Sequence, residues 1–477
     1  MDNIEKIKDL IKKEQNRQEK EICLIASENY MSEDVINACG SALINKYSEG
    51  NVGKRYYGGC QVIDEIEQIA IDEAKELFHC KYANVQPNSG CQANQAVYMA
   101  LCEPDDTILG MDVNSGGHIS HTLKIGFAGT FYNSVSYGLD DNGIINYDEI
   151  KAKLYEYKPR LLIVGGSAYP REIDFKKIRE IVNEYNNSLL NKYKPNIIHS
   201  AWCVNGNEVP FVEASLSYED MISCKKHKCL IMVDMAHIAG LVATGEHMSP
   251  FPYADVVTST VQKTLRSGRG GIILTNDEEI AKKIDKAVFP RLQGGPLNNM
   301  IAGKAIGFAE ALKPEFKQYI QQVKKNIQAM VEVFQKRGVP MVSGGSNNHL
   351  ILLDLRKYGI SGQQLEDALS EVGIIVNKNA VKDDPLPKSQ TSGIRLGTAA
   401  ITTRGLTEDN AAWIAHQICH IIDILTDEYD YEGIGLHKEI FEENLGRQLS
   451  LKEVALLIIK DGVENLCLHH PIYKKTL

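Results

Sequence analysis

The chain has 477 residues, of which 43% are hydrophobic and 24% are charged, a mixture typical of a folded globular protein rather than a disordered one. Its 62 acidic residues outnumber its 52 basic residues and give a formal net charge of −10, which argues against nucleic acid as the main partner. The length suits either three folding units or one large α/β domain with a smaller one, and it can bury a sizeable core without disulfides or metals.

The first twenty residues predict an amphipathic helix, because Ile4, Ile7, Leu10 and Ile11 recur at helical spacing. This segment is charged throughout and lacks the apolar core of a signal peptide, and its acidic residues are untypical of a mitochondrial transit segment. No run of about 18 apolar residues predicts a membrane span. We therefore expect a cytoplasmic protein without a membrane partner.

The cysteines and histidines do not predict a disulfide framework or a metal site. The eleven cysteines are scattered and include no CxxC pair, a pattern that favours reduced cytosolic thiols. His118 and His121 lie beside a Gly-Gly pair, and the neighbouring sequence offers no carboxylate or thiol to complete a metal site. We expect no bound metal.

From about residue 65, helical segments alternate with short apolar runs. IEQIAIDEAKELF predicts a helix, and buried strands are predicted for DTILGMDV, RLLIVGGSAY, CLIMVDMAH, ADVVTST and GGIILT. Short apolar strands between helices predict a mostly parallel sheet, in which ligands bind at the carboxyl ends of the strands. The residues that directly follow each strand are therefore the candidates for chemistry.

After about residue 300 the pattern changes to that of a smaller α+β domain. A long helical region, Asn299–Lys336, precedes NHLILLDL, a short helix and the strands IIVNKN and GIRLGT. We predict an N-terminal helix and interface arm at 1–60, a large α/β domain at 61–298 and a small α+β domain at 299–477. Two stretches read as insertions. The one at about 187–227 is unusually long for a connection between a helix and the next strand, and the one at about 427–450 interrupts a C-terminal helical region.

Two polar residues follow neighbouring strands and point to one type of chemistry. Asp234 ends CLIMVDMAH, and Lys263 follows ADVVTST 29 residues later, which leaves room for one connection and one strand. An Asp that protonates a ring nitrogen and a Lys that forms an imine are the two anchors of pyridoxal phosphate chemistry. Taken singly, Asp234 is equally compatible with a helix N-cap, and Lys263 with a solvated surface lysine.

Three further segments supply groups that this chemistry needs. Ser89-Gly90-Cys91 opens a helix, where backbone N–H groups can hold a phosphate. A second Gly-rich loop, LQGGPL at 292–297, is a weaker candidate for the same task. Arg395 in SGIRLGT could grip a substrate carboxylate with two hydrogen bonds, the alternative being a surface ion pair.

In this order, the motifs resemble those of serine hydroxymethyltransferase, a fold-type-I pyridoxal-phosphate family. The likeness runs nearly end to end, through LIASENY, NKYSEG, GKRYYGGC, SGCQAN, GGHISH, GGSAYP, VDMAHIAGLVA, KTLRSGRGG, QGGPL, VNKN, SGIRLGT and TTRG. It implies a large domain with a mostly parallel seven-stranded sheet and a smaller C-terminal α+β domain. It also implies transfer of the hydroxymethyl group of L-serine to tetrahydrofolate, giving glycine and 5,10-methylenetetrahydrofolate.

The resemblance assigns roles around the cofactor ring. Lys263 would hold pyridoxal phosphate as a Schiff base, and Asp234 would pair with its pyridinium nitrogen. His118 would stack on the ring, while Ser167 and His237 would bind around the ring oxygen O3′.

It likewise assigns the phosphate and the amino-acid carboxylate. The phosphate would be held by Ser89, Gly90 and Cys91, joined by Gly294 and Gly295 from a neighbouring subunit. The carboxylate of glycine, serine or threonine would be held by Arg395, assisted by Ser27 and Tyr57.

The remaining roles implied by the resemblance lie at a subunit interface and at the folate. Tyr47 and Glu49 match positions that reach across a dimer, and Glu49 would act as acid and base at the hydroxymethyl carbon. Tyr56 and Asn379 match folate-contacting positions. The family forms homodimers or tetramers with shared active sites, so we expect the same here.

Several residues depart from the family's usual motifs, and the departures gather away from the α-carbon chemistry. They include Asn51-Val52, Asn88, Cys91, Gln262 and the loop Lys388-Ser389, which lacks an aromatic residue expected near the folate. This pattern predicts weak tetrahydrofolate binding. It leaves a folate-independent threonine aldolase or transaldolase as the alternative activity, and a non-catalytic binding protein as an alternative of another class, against which the intact Lys263, Asp234 and Arg395 argue.

Overall fold

The structure is a computed structural model and describes residues 2–192, 196–204, 207–215 and 228–473. The strands are β1 Ile22–Cys23, β2 Gly50–Asn51, β3 Lys54–Arg55, β4 Tyr82–Asn84, β5 Thr107–Met111, β6 Asn133–Tyr137, β7 Leu161–Val164, β8 Asn196–Val204, β9 Asn207–Ser215, β10 Leu230–Asp234, β11 Val256–Thr260, β12 Gly271–Thr275, β13 Leu350–Asp354, β14 Ile374–Ile375, β15 Asn377–Asn379 and β16 Gly393–Gly397.

The α-helices are α1 Asn3–Lys20, α2 Glu33–Cys39, α3 Gln61–Phe78, α4 Gly90–Leu101, α5 Ile119–Thr122, α6 Phe127–Phe131, α7 Tyr147–Tyr157, α8 Phe175–Lys192, α9 Ala239–Thr244, α10 Glu278–Lys286, α11 Asn298–Ala311, α12 Pro314–Lys336, α13 Gly362–Glu371, α14 Ala399–Thr403, α15 Glu408–Leu425, α16 Gly435–Leu445 and α17 Leu451–His469. None of these helices combines the length and apolar content needed to cross a bilayer.

A seven-stranded sheet forms the centre of the large domain, in the order β4-β12-β11-β10-β7-β5-β6. The strands from β11 to β6 are parallel, and β12 runs antiparallel to both of its neighbours. The strand β7 is apolar throughout because both faces of the parallel sheet are covered. Leu162 and Val164 pack in one core, and Leu161 and Ile163 pack in the core on the opposite face. The predicted seven-stranded, mostly parallel sheet is confirmed.

The small domain is built on the antiparallel sheet β13-β16-β15 and includes a piece of the chain's beginning. Strand β1 pairs in parallel with β14, with Ile22 opposite Ile374, and both residues belong to the small-domain core. The predicted N-terminal arm at 1–60 therefore does not stand apart, because residues 22–24 complete the small domain.

The two domains share helix α12. Its first half, with Phe316 and Val323, packs in the large-domain core, and its second half, beginning at Ile327, packs in the small-domain core. The boundary predicted at 299 lies near the start of α11, earlier in the chain than this change of core. Phe308 of α11 still packs in the large-domain core. The sequence could not show the change of core, because the apolar stripe of α12 keeps its helical spacing through both halves.

The two predicted insertions contain different secondary structure. Within the stretch predicted at about 187–227, α8 continues to Lys192, and β8 and β9 form an antiparallel hairpin with Asn196 opposite Ser215. Residues 193–195, 205–206 and 216–227 of that stretch lie outside the described residues. The stretch predicted at about 427–450 contains α16, which packs beside α17.

Arg404 links the C-terminal ends of α1 and α17. It follows α14, and its guanidinium side chain is 1% exposed. It donates to the backbone carbonyls that end α1 and α17, those of Gln18, Glu19, Glu21, Cys467 and His470. One buried cation thus satisfies carbonyl groups that both helices leave without intrahelical partners.

Candidate active site

A cavity of about 780 Å³ opens at the carboxyl ends of the parallel strands. Asp234 and Thr260 are the last residues of β10 and β11, and Gly166 follows β7 closely. The lining contains a large share of the residues singled out in the sequence: Ser27, Ser89, Gly90, Cys91, His118, Ser167, Asp234, His237 and Lys263. The expectation that chemistry follows the strands therefore applies to this end of the sheet.

The side chain of Asp234 is 10% exposed, and both of its carboxylate oxygens accept hydrogen bonds. Its Oδ2 accepts from Nε2 of His121 at 3.0 Å and from Nδ2 of Asn94 at 2.9 Å, and its Oδ1 accepts from the backbone of Ala236 at 3.1 Å. Burial disfavours the charged carboxylate and raises its pKa. The hydrogen bonds from His121 and Asn94 and the electrostatic effect of the nearby imidazoles outweigh this and hold the pKa of Asp234 below its usual value. The N-cap of α9 is Ile238, so Asp234 is an anion held ready in the cavity rather than a cap.

Lys263 lies three residues beyond β11 and is 9% exposed. Burial lowers the pKa of its amine to about 8, with Asp234 opposing the change and Arg395 adding to it. Its backbone carbonyl accepts from Nδ2 of Asn29 at 2.8 Å, which fixes the turn that carries it. A buried lysine with this pKa has a substantial neutral fraction near neutral pH and can act as a nucleophile.

The N-terminus of α4 faces the same cavity. Ser89 is its N-cap and accepts from the backbone of Gln92 at 3.2 Å, and a Cβ at Gly90 would lie only 2.5 Å from Cγ2 of Thr260. The glycine is therefore needed for the close approach of helix and strand. Three buried polar atoms around this turn have no partner in the structure: Asn88 Oδ1, Thr260 Oγ1 and Gln262 Oε1.

Arg395, on β16 of the small domain, contacts two residues of the cavity lining, Ser27 and Ser167. Nη1 donates to the carbonyl of Ser167 at 2.8 Å, Nη2 lies 3.5 Å from Oγ of Ser27, and Nε donates to Oδ1 of Asn377 at 3.1 Å. Burial lowers the pKa of the guanidinium to about 10. Among the residues that the structure describes, no carboxylate forms an ion pair with Arg395, which leaves a buried cation suited to an incoming anion.

The two predicted ring-side histidines lie in the lining but differ in their contacts. The Nδ1 of His118 is 2.8 Å from Oγ of Ser120, and burial and then His121 lower the pKa of His118 to about 4. His237 shares a hydrogen bond with His349, and burial, followed by Lys263 and Arg395, holds the pKa of His237 well below its ordinary value. Both rings are therefore neutral at physiological pH.

Besides Arg395, seven predicted residues do not line this cavity. Six form a separate surface group, in which Gly294 lies against Glu49 and Gly295 against the ring of Tyr47; the group comprises Tyr47, Glu49, Tyr56, Tyr57, Gly294 and Gly295. The seventh, Asn379, ends β15 and donates to the carbonyl of Ala380 at 2.7 Å. Within a single chain, the predicted acid–base residue Glu49, the predicted folate residues and the glycine pair Gly294-Gly295 therefore lie outside the cavity that contains Lys263.

Comparison with known proteins decides the family. The family model for serine hydroxymethyltransferase matches residues 1–231 and 214–418. The chain belongs to the serine hydroxymethyltransferase family. A probable serine hydroxymethyltransferase of Rickettsia bellii is 48% identical over 423 residues, covering 88% of this chain and 91% of that protein. The serine hydroxymethyltransferase of Rickettsia canadensis is 48% identical over 418 residues, covering 87% and 90%, and that of Rickettsia rickettsii (strain Sheila Smith) is 47% identical over 429 residues, covering 90% and 92%.

Serine hydroxymethyltransferases use pyridoxal phosphate as cofactor and tetrahydrofolate as cosubstrate. The residues of this cavity fit the cofactor in three respects. Lys263 supplies a buried amine, and Asp234 supplies a carboxylate held in its charged form. The N-terminus of α4, where a helix presents backbone N–H groups, lies beside polar side-chain atoms that have no partner. A volume of about 780 Å³ is also in the range of cofactor pockets.

The hydroxymethyltransferase site contains two polar residues that sequence reasoning did not assign to it. His121 and Asn94 are the side chains that bind the carboxylate of Asp234, and Thr258 in turn donates to Oδ1 of Asn94 at 2.6 Å. The only hint was their position inside motifs already recognised, SGCQAN and GGHISH. His121 had been considered only as a metal ligand without a nearby carboxylate; the fold supplies that carboxylate from β10.

Proposed function

We propose that this chain is a pyridoxal-phosphate-dependent serine hydroxymethyltransferase that interconverts L-serine plus tetrahydrofolate with glycine plus 5,10-methylenetetrahydrofolate. The proposal is supported by the family match and by relatives of that name at 48% identity. The observation that carries it is the buried, unpaired guanidinium of Arg395, held by Ser27 and Ser167 at the cavity that contains Lys263. The carboxylate of a small amino acid would supply the anionic partner that this guanidinium does not have within the described residues.

When bound, pyridoxal phosphate supplies a ring that accepts the electron pair released when a bond to the α-carbon breaks. Asp234 keeps a proton on the ring nitrogen, because a carboxylate with a lowered pKa stabilises a protonated heterocycle beside it. Lys263 would hold the cofactor through its amine, and a pKa of about 8 keeps a fraction of that amine neutral and able to bind the aldehyde. The N–H groups at Ser89-Gly90-Cys91 hold the phosphate.

Arg395 orients the substrate. Two N–H groups of its guanidinium bind the two oxygens of the amino-acid carboxylate, which fixes the rotation of the α-carbon relative to the cofactor. Ser27 lies 3.5 Å from Nη2 and completes the hydrogen bonding of the same carboxylate. Because the side chain is buried, water competes weakly for this contact.

We propose further that the active protein is a homodimer, or a tetramer made of two such dimers, in which one surface group completes the site of the partner. This group comprises Tyr47, Glu49, Tyr56, Tyr57, Gly294 and Gly295. Tyr47, Tyr56 and Tyr57 are 57%, 75% and 48% exposed in the single chain, although Tyr47 packs on Tyr57 and Tyr56 packs on Phe289. Exposed apolar groups of this kind mark interaction surfaces. Helix α1 likewise buries none of its apolar residues within the chain. Glu49 of this group serves as acid and base at the hydroxymethyl carbon.

The one-carbon acceptor is tested by measuring the cleavage of L-serine to glycine with and without tetrahydrofolate. We expect strong stimulation that saturates with folate, and no cleavage by the Lys263→Ala variant. No stimulation, together with exchange of aldehydes between two β-hydroxy amino acids, would overturn the proposal in favour of a folate-independent aldolase or transaldolase. A purified protein that does not bind the cofactor would instead support a non-catalytic role.

The shared site is tested by mixing two inactive variants, Lys263→Ala and Glu49→Ala. If each site takes Glu49 from one subunit and Lys263 from the other, mixed dimers contain one intact site and recover activity. No recovery under conditions where sedimentation shows exchange of subunits would place both residues in the site of a single chain.

We also propose a cytoplasmic location, supported by the nine described cysteines, all of which are free thiols. Cell fractionation followed by immunoblotting tests this, and recovery of the protein in a secreted fraction would contradict it.

A further inference from the structure

Two buried imidazoles meet where the small domain contacts the cofactor cavity. His237 lies in the loop after β10, and His349 directly precedes β13. Nδ1 of His237 is 3.3 Å from Nε2 of His349, and the ring centroids are 5.5 Å apart with an interplanar angle of 25°. His237 is 4% exposed and lines the cavity, whereas His349 is fully buried behind it.

This contact is a single hydrogen bond between two neutral rings. Burial, with Lys263 and Arg395, lowers the pKa of both residues, that of His349 to about 3. A neutral imidazole has one N–H donor and one acceptor nitrogen, so one ring donates and the other accepts. Because Nδ1 of His237 is used here, Nε2 is the nitrogen that remains for the cavity.

The ring of His237 depends on His349 for its orientation. Among the hydrogen bonds of the described residues, this one alone holds the ring; the bond from Thr264 at 3.1 Å goes to the backbone carbonyl of His237. His349 itself is fixed by the small-domain sheet, because its carbonyl accepts from the backbone of Thr398 at 3.1 Å, just after β16. That sheet also carries Arg395, which pairs with Leu352 in register.

We propose that His349 is a positioning residue of the active site, which fixes the imidazole of His237 from the small domain so that Nε2 is presented to the bound cofactor. The same sheet thereby aligns Arg395 for the substrate carboxylate and His237 for the cofactor ring. A displacement of the small domain moves both contacts together. This inference rests on the function proposed above, since it requires pyridoxal phosphate in the cavity.

The test is a double-mutant cycle read by cofactor binding. Apoprotein of the wild type, His349→Phe, His237→Phe and the double variant is titrated with pyridoxal phosphate, and the dissociation constant is taken from the visible absorbance of the bound cofactor. We expect His349→Phe to weaken binding about tenfold, as for the loss of one hydrogen bond, and to shift the pH titration of that absorbance. In the His237→Phe background the same change should have no further effect.

Two variants keep the result interpretable. His349→Gln retains a side-chain amide that can bind Nδ1 of His237, so it should recover part of the lost affinity and serves if the Phe variant does not fold. His247→Phe is the matched control, because His247 is also buried and hydrogen-bonded, to Ile173 and Met248, but does not line the cavity. It should lower stability without changing the absorbance of the bound cofactor.

Each outcome decides. Equal losses from His349→Phe with and without the His237 imidazole, or wild-type affinity and absorbance in His349→Phe, would show that His349 has no positioning role. Failure of the wild type to bind the cofactor would overturn the proposed function itself. A wild type that cleaves serine with folate stimulation, combined with an additive cycle, would overturn only this inference.

Discussion

Replacing Lys304 by methionine removes a buried cation from beneath the loop that leads to α4. Lys304 lies on α11 and is 1% exposed, and its Nζ donates to the carbonyls of Val85, Pro87 and Gly271 at 2.7, 2.9 and 3.0 Å. The three N–H bonds of an ammonium match these three acceptors. Methionine has nearly the same length and shape but donates no hydrogen bond.

The expected loss of stability follows from these three bonds. A buried carbonyl left without a partner costs roughly 1–2 kcal/mol, so those of Val85 and Gly271 together cost about 2–4 kcal/mol. The carbonyl of Pro87 keeps its bond from the backbone N–H of Gly271 at 2.9 Å and loses only its second bond, at about 1 kcal/mol. Burial lowers the pKa of Lys304 to about 7, so removing the cation also relieves part of a desolvation cost. We therefore expect a net destabilisation of about 2–4 kcal/mol. Because Pro87 lies two residues before Ser89, cofactor affinity should fall as well.

Urea unfolding of the apoprotein, followed by circular dichroism, measures the shift in midpoint. Lys324→Met is the matched control, because Nζ of Lys324 forms a part-exposed ion pair with Glu246 at 3.1 Å, worth about 1 kcal/mol or less. A Lys304→Met variant as stable as Lys324→Met, with unchanged affinity for pyridoxal phosphate, would refute the reasoning.

Three further predictions concern the cavity. Asp234→Asn should still bind cofactor but slow the exchange of the glycine α-proton by ~10²–10³-fold, measured by NMR in D₂O, since the charge that protonates the ring is lost; near-normal rates would contradict this. Arg395→Lys should raise the KM for serine with unchanged cofactor absorbance, because an ammonium lacks the planar fork; an unchanged KM would assign the carboxylate to another residue. The rate at which apoprotein captures cofactor should rise with pH and level off above about 8, where the amine of Lys263 becomes neutral; a rate independent of pH, followed by stopped-flow absorbance, would show that this deprotonation does not limit capture.

Much of the large domain could be predicted because its information is local. Each apolar run such as LLIV or LIMVD is a complete strand, and the polar residue after it marks the edge where the cavity opens. Asp234 and Lys263 could be paired because only one connection separates their strands. The family motifs added the order of these segments, which no single segment carries.

The contacts that could not be predicted join residues far apart in the chain. His121 and Asn94 precede Asp234 by 113 and 140 positions, and nothing in their neighbourhood specifies a carboxylate partner. His349 meets His237 only because the small domain closes over the cavity. The contact of His349 with His237 depends on how the two domains pack, and the contacts of Asp234 depend on how α4, α5 and β10 meet within the large domain. Neither arrangement is a property of any short window of the chain.

The pairing of β1 with β14 has a consequence for how the protein is made. Ile22 donates its backbone N–H to Gly373 and Leu24 to Ile375, while Gly397 donates to Leu24, each bond at 2.8 Å. A ribosome releases residues 22–24 long before residues 373–397, which supply their backbone partners. The small domain therefore cannot complete its core until this later segment has emerged, and the apolar side chains of Ile22 and Leu24 lack their native neighbours during that interval.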